Sequence, residues 1–165
     1  DLSDAAEHFK SLINPDDPSF LNPGNMAKAI QEYCLKTNQP VPQTKGEIAR
    51  CIYDSLVLKY KFTIRQIESV TEKPIERLHI IGGGAHNKIV NQLTADATGI
   101  SVFAGPTEAT AIGNIMLQAK ALGVVNSLAE IREIVRNSFE VTEYTPSPKL
   151  DWEAAFKQFE KLLKS

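Results

Sequence analysis

The chain has 165 residues, of which 42% are hydrophobic and 23% charged, and its formal net charge is −2 at neutral pH. A domain of this size buries enough apolar surface to fold without disulfides or a structural metal. The small net charge, with no Lys/Arg-rich run, argues against a nucleic-acid or membrane-surface partner. No apolar run reaches the roughly 20 residues that span a bilayer, so we expect a cytoplasmic protein.

The two cysteines, Cys34 and Cys51, and three scattered histidines show no spacing that is typical of a zinc site. Both cysteines fall on apolar faces of successive predicted helices, so we expect two buried thiols that lie near each other. A reducing cytoplasm argues against a functional disulfide, but the spacing leaves open whether the thiols are bridged.

The first half of the chain is predicted to be helical. Apolar residues at helical spacing predict a short helix over residues 3–13, followed by a loop rich in proline and asparagine. A second helix is predicted over residues 26–35 and ends before the prolines of the QPVP segment. Thr44 and Glu47 then form a capping box that starts a long helix, whose apolar positions continue to Ile67.

The second half alternates short strands with helices. A predicted strand over residues 77–81 ends at three glycines, and helical spacing follows as far as Gly99. A second strand is predicted over residues 100–103. Thr107 is expected to cap the next helix, which ends at Gly123.

The last residues complete an α/β pattern. Ser127 and Glu130 predict another capped helix, residues 139–146 (FEVTEYTP) form a short strand or an extended tail, and an amphipathic helix covers residues 150–163. Strands joined by crossover helices pair in parallel, so we predict helices packed on a small, mostly parallel sheet. Because two strands do not make a stable sheet, we expect further strands upstream, in a longer protein.

The three consecutive glycines, Gly82, Gly83 and Gly84, lie between a predicted strand and a predicted helix. Glycine lets the backbone approach a ligand closely, and crevices of parallel sheets form at this end of the strands. A tight turn with only a packing role is the alternative. A dinucleotide fingerprint that begins at Gly82 needs glycine at position 87, which is Asn87, and no GK[ST] phosphate loop occurs. Asn87 offers an amide donor and an acceptor, which suits the edge of a base or ribose.

Other polar residues near the glycines have simpler structural explanations. Histidine titrates near neutral pH, which would suit His86 to act as a base, but a polar turn residue is the simpler interpretation. Asp96 is more typical of a hydrogen-bonding residue near a helix end than of a metal ligand, and Glu108 suits the dipole of the following helix. The sequence therefore assigns no catalytic residue and no metal ligand.

Three motifs in order resemble one known family. IIGGGAHN at 80–87, ADATG at 95–99 and EATAIGN at 108–114 resemble the C-terminal domain of the FGGY carbohydrate kinases. One such string is a weak signal, whereas the three together are specific. The resemblance implies the actin-like, ribonuclease H-like ATPase fold. Residues 1–165 would then be the last part of the C-terminal domain, without its first strands and without the N-terminal sugar-binding domain.

Further segments narrow the resemblance. FLNPGNM at 20–26, IARCIYDSL at 48–56 and AGPTEAT at 104–110 resemble family members that phosphorylate L-rhamnulose at its 1-hydroxyl group. A kinase for another ketose or polyol stays open, because the sugar pocket lies largely in the N-terminal domain of such enzymes. A non-catalytic actin-like module that binds nucleotide or a protein partner is a further alternative.

The resemblance also implies the ligands and the site. ATP and Mg²⁺ are the expected cofactors, L-rhamnulose is the expected substrate, and Gly83, Gly84 and Asn87 are expected to line the adenine nucleotide site. Phosphoryl transfer needs nucleotide, metal and acceptor held together. Residues 1–165 on their own are therefore expected to be catalytically inactive.

Overall fold

The structure of the chain, a computed structural model, describes residues 3, 5–147 and 149–164. These residues contain six α-helices and three β-strands. The helices are α1 (Met26–Lys36), α2 (Lys45–Thr71), α3 (Lys88–Thr98), α4 (Ala109–Ala121), α5 (Leu128–Ser138) and α6 (Trp152–Leu162). The strands are β1 (Arg77–Ile80), β2 (Ser101–Ala104) and β3 (Thr142–Tyr144). In the described part of the chain, no helix combines the length and the apolar character needed to cross a membrane.

The chain divides into two compact units. The first unit comprises Asp1–Pro74, Asp96–Thr98 and Pro148–Ser165, and the second comprises Ile75–Ala95 and Gly99–Ser147. The first unit is built from helices and loops, whereas the second contains the sheet.

Helix α2 supplies much of the buried surface of the first unit. Its predicted capping box is confirmed, because the Glu47 N–H donates to Thr44 Oγ1 (3.2 Å) and the Thr44 N–H donates to Glu47 Oε2 (3.1 Å). Val57 and Leu58 are completely buried, so one face of α2 packs into the core. The helix ends at Glu72, which has a left-handed backbone conformation with φ 55°.

The predicted helix over residues 3–13 is wrong. The described residues of this segment form turns and bends, and Phe9 has a left-handed conformation with φ 60°. Side chains of α2 accept the backbone hydrogen bonds instead: the Phe9 N–H donates to Asp54 Oδ2 (2.9 Å) and the Ile13 N–H donates to Ser55 Oγ (2.9 Å). These long-range bonds outweigh the local helical spacing of apolar residues.

Asp54 is completely buried and is the centre of an ionic cluster. Its Oδ1 atom lies 3.0 Å from His8 Nδ1 and 3.5 Å from Arg50 Nη1. Arg50 is also buried, and its Nη2 donates to the Ser3 carbonyl oxygen (3.0 Å). Burial raises the pKa of Asp54, while the Phe9 N–H, His8 and Arg50 oppose this shift. The cluster therefore ties the segment before α1 to α2.

The predicted proximity of Cys34 and Cys51 is confirmed. Both are free thiols, buried in one apolar cluster with Ile13, Ile30 and Tyr33. A hydrogen bond between the two thiols lowers the pKa of Cys34. The same bond and burial raise the pKa of Cys51. The pair therefore belongs to the core that α1 and α2 share.

The sheet of the second unit has the strand order β1-β2-β3. β1 and β2 pair in parallel, with Arg77 opposite Ser101 and Ile80 opposite Ala104, as predicted. β3 pairs with β2 in the antiparallel direction, so the strand alternative for residues 139–146 is correct and the sheet is mixed. The strand bounds differ from the predicted ones by about one residue. β1 ends at Ile80 where the prediction ended at 81, and β2 covers Ser101–Ala104 where the prediction covered 100–103.

Helix α4 begins without the predicted cap at Thr107. Glu108 is its N-cap residue and makes no side-chain capping bond in the structure as described. The carbonyl of Pro106 accepts a hydrogen bond from the Gly82 N–H (3.3 Å), so the chain after Pro106 leaves in a turn before it becomes helical. None of the thirteen residues of α4, all of which are described, is buried.

The last two helices begin at side-chain caps. Ser127 caps α5 as predicted, since the Glu130 N–H donates to Ser127 Oγ (3.1 Å). The Glu130 carboxylate accepts from the Asn126 N–H (2.9 Å), one residue before the N-cap. Asp151 caps α6 by accepting from the Ala154 N–H (3.0 Å). The predicted cap at Ser127 is therefore confirmed, whereas the one at Thr107 is wrong and Asp151 was not predicted as a cap.

Candidate functional site

The three glycines lie in a 3-10 helix, Gly82–His86, which we call the glycine turn. It follows β1, as predicted, and Gly82 has φ +71°, a conformation that favours glycine. The Gly82 N–H donates to the Pro106 carbonyl (3.3 Å), and the Gly105 N–H donates to the Ile80 carbonyl (2.8 Å). These bonds join the segments that leave β1 and β2 at their carboxyl ends, where binding crevices of parallel strands form.

Gly83 and Gly84 are both exposed. A Cβ atom added to Gly83 would meet no heavy atom of the described residues within 4 Å, so packing does not explain the glycine. A Cβ atom added to Gly84 would lie 3.3 Å from Ile80 Cγ2, which is a tight contact. The backbone at Gly83 is therefore open to close approach by a ligand.

Asn87 is the N-cap residue of α3. The sequence had placed it one step later, in the first turn of this helix. Its side-chain oxygen accepts from the Val90 N–H (3.1 Å), and its own N–H donates to the Gly84 carbonyl (3.1 Å). The cap uses the acceptor of the amide and fixes its orientation. The N–H donors of the side-chain amide are therefore what Asn87 offers to a ligand.

An open crevice of about 420 Å³ lies beside the glycine turn, where β1 and β2 end. His86 and Lys88 line it after β1, Gly105 and Thr107 line it after β2, and Tyr144 lines it from β3. Lys88 gives the crevice a basic side chain at the start of α3. Glu140 adds an acidic side chain to the same lining, so the crevice carries charges of both signs.

The three predicted site residues, Gly83, Gly84 and Asn87, lie together on the turn and the helix start beside this crevice. Gly83, Gly84 and Asn87 do not line the crevice itself, whereas Ala85 and His86 of the same turn do. The structure thus gathers the predicted residues on one short segment, and their contact with a nucleotide stays a prediction.

The other polar residues considered in the sequence have different surroundings. His86 is exposed, Asp96 is half-buried near the end of α3, and Glu108 is the N-cap of α4. Within residues 3, 5–147 and 149–164, no group of three or more His, Cys, Asp or Glu side chains is arranged to hold a metal ion. The expectation that these three residues have structural roles stays a prediction.

Sequence reasoning missed Asn91, which contacts the glycine turn from α3. Its side chain is completely buried, and Nδ2 donates to the Ala85 carbonyl (3.1 Å). The Oδ1 atom is buried and has no hydrogen-bond partner among the described residues. The available signal was a polar residue of α3 one helical turn after Asn87 and next to the apolar Val90.

The structure has a glycine turn between a parallel strand and a helix. This arrangement agrees with the actin-like α/β fold that the sequence motifs imply. Residues 1–122 match the family described as "FGGY family of carbohydrate kinases, C-terminal domain". The match covers most of the chain. The chain belongs to the FGGY family of carbohydrate kinases.

The chain is also similar to individual members named rhamnulokinase. It is 47% identical to rhamnulokinase of Bacteroides thetaiotaomicron over 157 residues, which cover 95% of the chain and 32% of that relative. It is 52% identical to rhamnulokinase of Bacillus subtilis over 140 residues, which cover 85% of the chain and 29% of that relative. The chain thus spans less than a third of the length of these curated relatives.

Solved structures confirm the fold class. Xylulose kinase from Rhodospirillum rubrum superposes with a TM-score of 0.59 at 18% identity. The match covers 76% of this chain and 25% of the xylulose kinase chain. Gluconate kinase from Lactobacillus acidophilus superposes with a TM-score of 0.54 at 20% identity, and the match covers 73% of this chain and 24% of the gluconate kinase chain. At these identities the likeness shows the fold alone.

Proposed function

We propose that this chain is the C-terminal part of an ATP-dependent kinase that converts L-rhamnulose to L-rhamnulose 1-phosphate during L-rhamnose catabolism in the cytoplasm. The observation that carries the proposal is 43 to 52% identity to relatives named rhamnulokinase over 82 to 95% of the chain. The xylulose and gluconate kinases share the fold at only 18 to 20% identity. This difference favours L-rhamnulose over the sugars of those two enzymes.

The proposed contribution of the chain is part of the adenine nucleotide site. Gly83 and Gly84 are exposed, and the space above Gly83 is open to a bound nucleotide. Asn87 holds its amide N–H donors in a fixed orientation because its oxygen caps α3. We assign these donors to an acceptor atom of the base or the ribose.

When bound, MgATP supplies the γ-phosphoryl group and the charge that must be stabilised during its transfer. The residues of this chain contribute positioning: a glycine backbone that permits close approach, and an amide that fixes the orientation of the ligand. The described residues contain no cluster of metal-binding side chains, so we assign no Mg²⁺ ligand to them. We also assign no general base to this chain.

The test is the Gly83→Val substitution in the complete protein that carries this chain. A Cβ atom added at Gly83 meets no described heavy atom within 4 Å, so we expect the fold to tolerate the substitution, while the side chain occupies the space proposed for the nucleotide. We expect the ATP KM to rise by about tenfold or more, which corresponds to about 1.4 kcal/mol of lost binding. The L-rhamnulose KM should stay within about twofold, a change worth less than 0.5 kcal/mol.

Gly24→Val is the matched control, because a Cβ atom at Gly24 also meets nothing within 4 Å in the described chain. It should leave both KM values unchanged. Unchanged ATP kinetics in Gly83→Val would contradict the nucleotide assignment. A ketose panel tests the substrate, and faster turnover of D-xylulose than of L-rhamnulose would contradict the proposed sugar.

A further inference from the structure

Asn91 links the glycine turn to the interior of the second unit. Its Nδ2 donates to the Ala85 carbonyl (3.1 Å), directly after Gly84. The Asn91 N–H donates to the Asn87 carbonyl (3.0 Å), which places the residue one helical turn inside α3. The side-chain bond therefore connects a hydrogen-bonded helix to the exposed part of the turn.

Only the donor half of the Asn91 amide is used. Its Oδ1 atom is buried and lacks a partner among residues 3, 5–147 and 149–164. An unpaired buried acceptor lowers the free energy of unfolding, so an apolar side chain of similar volume would be less costly at this position. The reverse amide orientation would set Oδ1 against the Ala85 carbonyl, two acceptors facing each other, and is excluded. The donor bond to the turn is what explains an asparagine here.

Main-chain hydrogen bonds hold the glycine turn at two glycines. The Gly82 N–H donates to the Pro106 carbonyl (3.3 Å), and the Gly84 carbonyl accepts from the Asn87 N–H (3.1 Å). Consecutive glycines have many accessible backbone conformations, so a side-chain bond to the turn adds a restraint to those of the main chain. The bond from Asn91 supplies this restraint at Ala85, directly after the glycines.

We propose that Asn91 is a positioning residue that fixes the Ala85 carbonyl and thereby holds Gly83 and Gly84 in the conformation that the nucleotide contacts. Its complete burial means that it acts through Ala85 and does not touch the ligand. The effect on ATP binding rests on the proposed function. The restraint on the turn is a property of this chain and is measurable without any ligand.

The experiment compares Asn91→Leu with Thr94→Val in the complete protein. Leu keeps the branching of Asn at Cγ, is somewhat larger and removes the donor, while Thr94 is a buried polar residue of the same helix whose hydroxyl donates within α3, to the Val90 carbonyl (2.6 Å). Hydrogen exchange of backbone amides 82–87 is measured without nucleotide, and steady-state kinetics are measured with ATP and L-rhamnulose.

In Asn91→Leu we expect exchange at residues 82–87 to be faster by about tenfold, consistent with loss of one restraining hydrogen bond. The ATP KM should rise by about tenfold, while kcat and the L-rhamnulose KM stay within about twofold. Thr94→Val should change neither the exchange nor the ATP KM. Asn91→Ala, which cannot overpack the site, replaces the Leu variant if the latter does not fold.

Exchange at residues 82–87 that is equal in the Asn91 variant and the wild type would overturn the inference. An equal rise of the ATP KM in Thr94→Val would also overturn it, because the effect would then reflect general loosening of α3. A wild-type protein that phosphorylates no sugar would refute the proposed function instead. Exchange that is faster only in the Asn91 variant would in that case still support the restraint.

Discussion

The two compact units bury their apolar side chains to different extents. In the first unit, large residues such as Ile30, Leu58 and Phe159 are completely buried. In the second unit, the large side chains Ile115 and Leu117 of α4 are more than 60% exposed. The buried apolar side chains of the second unit are fewer and smaller, and include Val90, Val102 and Ile131. The candidate site thus lies in the unit with less side-chain packing, as is common for segments that bind ligands.

The largest effect is expected from replacing one leucine of each unit by alanine and comparing the free energies of unfolding. Leu58→Ala removes a completely buried side chain of α2 and should lower the free energy of unfolding by about 2 to 5 kcal/mol. Leu117→Ala removes a side chain that is 61% exposed and should change it by less than about 0.5 kcal/mol. Urea unfolding at constant m-value measures both. A similar loss in the two variants would show that α4 is packed and that the units do not differ in this respect.

Backbone geometry in the second unit is tested by Gly105→Ala. Gly105 has φ +120°, and an added Cβ atom would lie 2.8 Å from the Glu140 carbonyl oxygen, so we expect a loss of about 3 kcal/mol. Gly123→Ala is the matched control, because Gly123 has φ +73° with nothing described within 4 Å of its Cβ position. It should cost about 1 to 2 kcal/mol from conformation alone. Equal losses in thermal unfolding would mean that the contact with Glu140 is easily relieved.

The smallest effect concerns the cap of α2 in the first unit. Hydrogen bonds from the Gln43 and Thr44 N–H groups and from Lys10 lower the pKa of Glu47 to about 2. A lowered carboxyl pKa stabilises the folded state above the unfolded pKa, near 4.5, and this contribution is lost as the pH falls towards 2. In Glu47→Gln, urea midpoints measured between pH 5 and pH 2 should therefore fall less steeply than in the wild type.

Thr44→Ala separates this charge effect from capping in general. It removes the other half of the capping box but keeps the N–H groups that bind Glu47, so it should lower the unfolding free energy by about 1 kcal/mol at all pH values. Its slope between pH 5 and pH 2 should match the wild type. A slope as shallow as that of Glu47→Gln would assign the pH dependence to other carboxylates.

The sequence predicted best where a few neighbouring residues decide the structure. The caps at Thr44 and Ser127 and the strand just before the three glycines are local patterns, and the structure contains all three. Residues 3–13 failed as a helix because their backbone partners, Asp54 and Ser55, lie more than 40 positions further along the chain. No apolar periodicity reports such partners.

The candidate site follows the same division. Gly83, Gly84 and Asn87 could be predicted because a run of glycines before a helix is visible in the sequence and resembles a family motif, and their nucleotide role stays a prediction. Asn91 was missed because its role depends on complete burial and on which amide atom faces the Ala85 carbonyl. Thr107 was misassigned as a cap because Thr107 and Glu108 form a turn and the helix begins only at Ala109.

Asn87 meets two requirements, one from the start of α3 and one from the proposed nucleotide contact. Folding favours Asn, Asp, Ser or Thr at a helix N-cap, whereas the proposed nucleotide contact favours a side chain with an N–H donor. Among these four residues, Asn alone carries an acceptor and an N–H donor on separate atoms. A change to Asp keeps an acceptor for the start of α3 and abolishes the N–H donor, so Asn87→Asp separates the capping role of this residue from its proposed binding role.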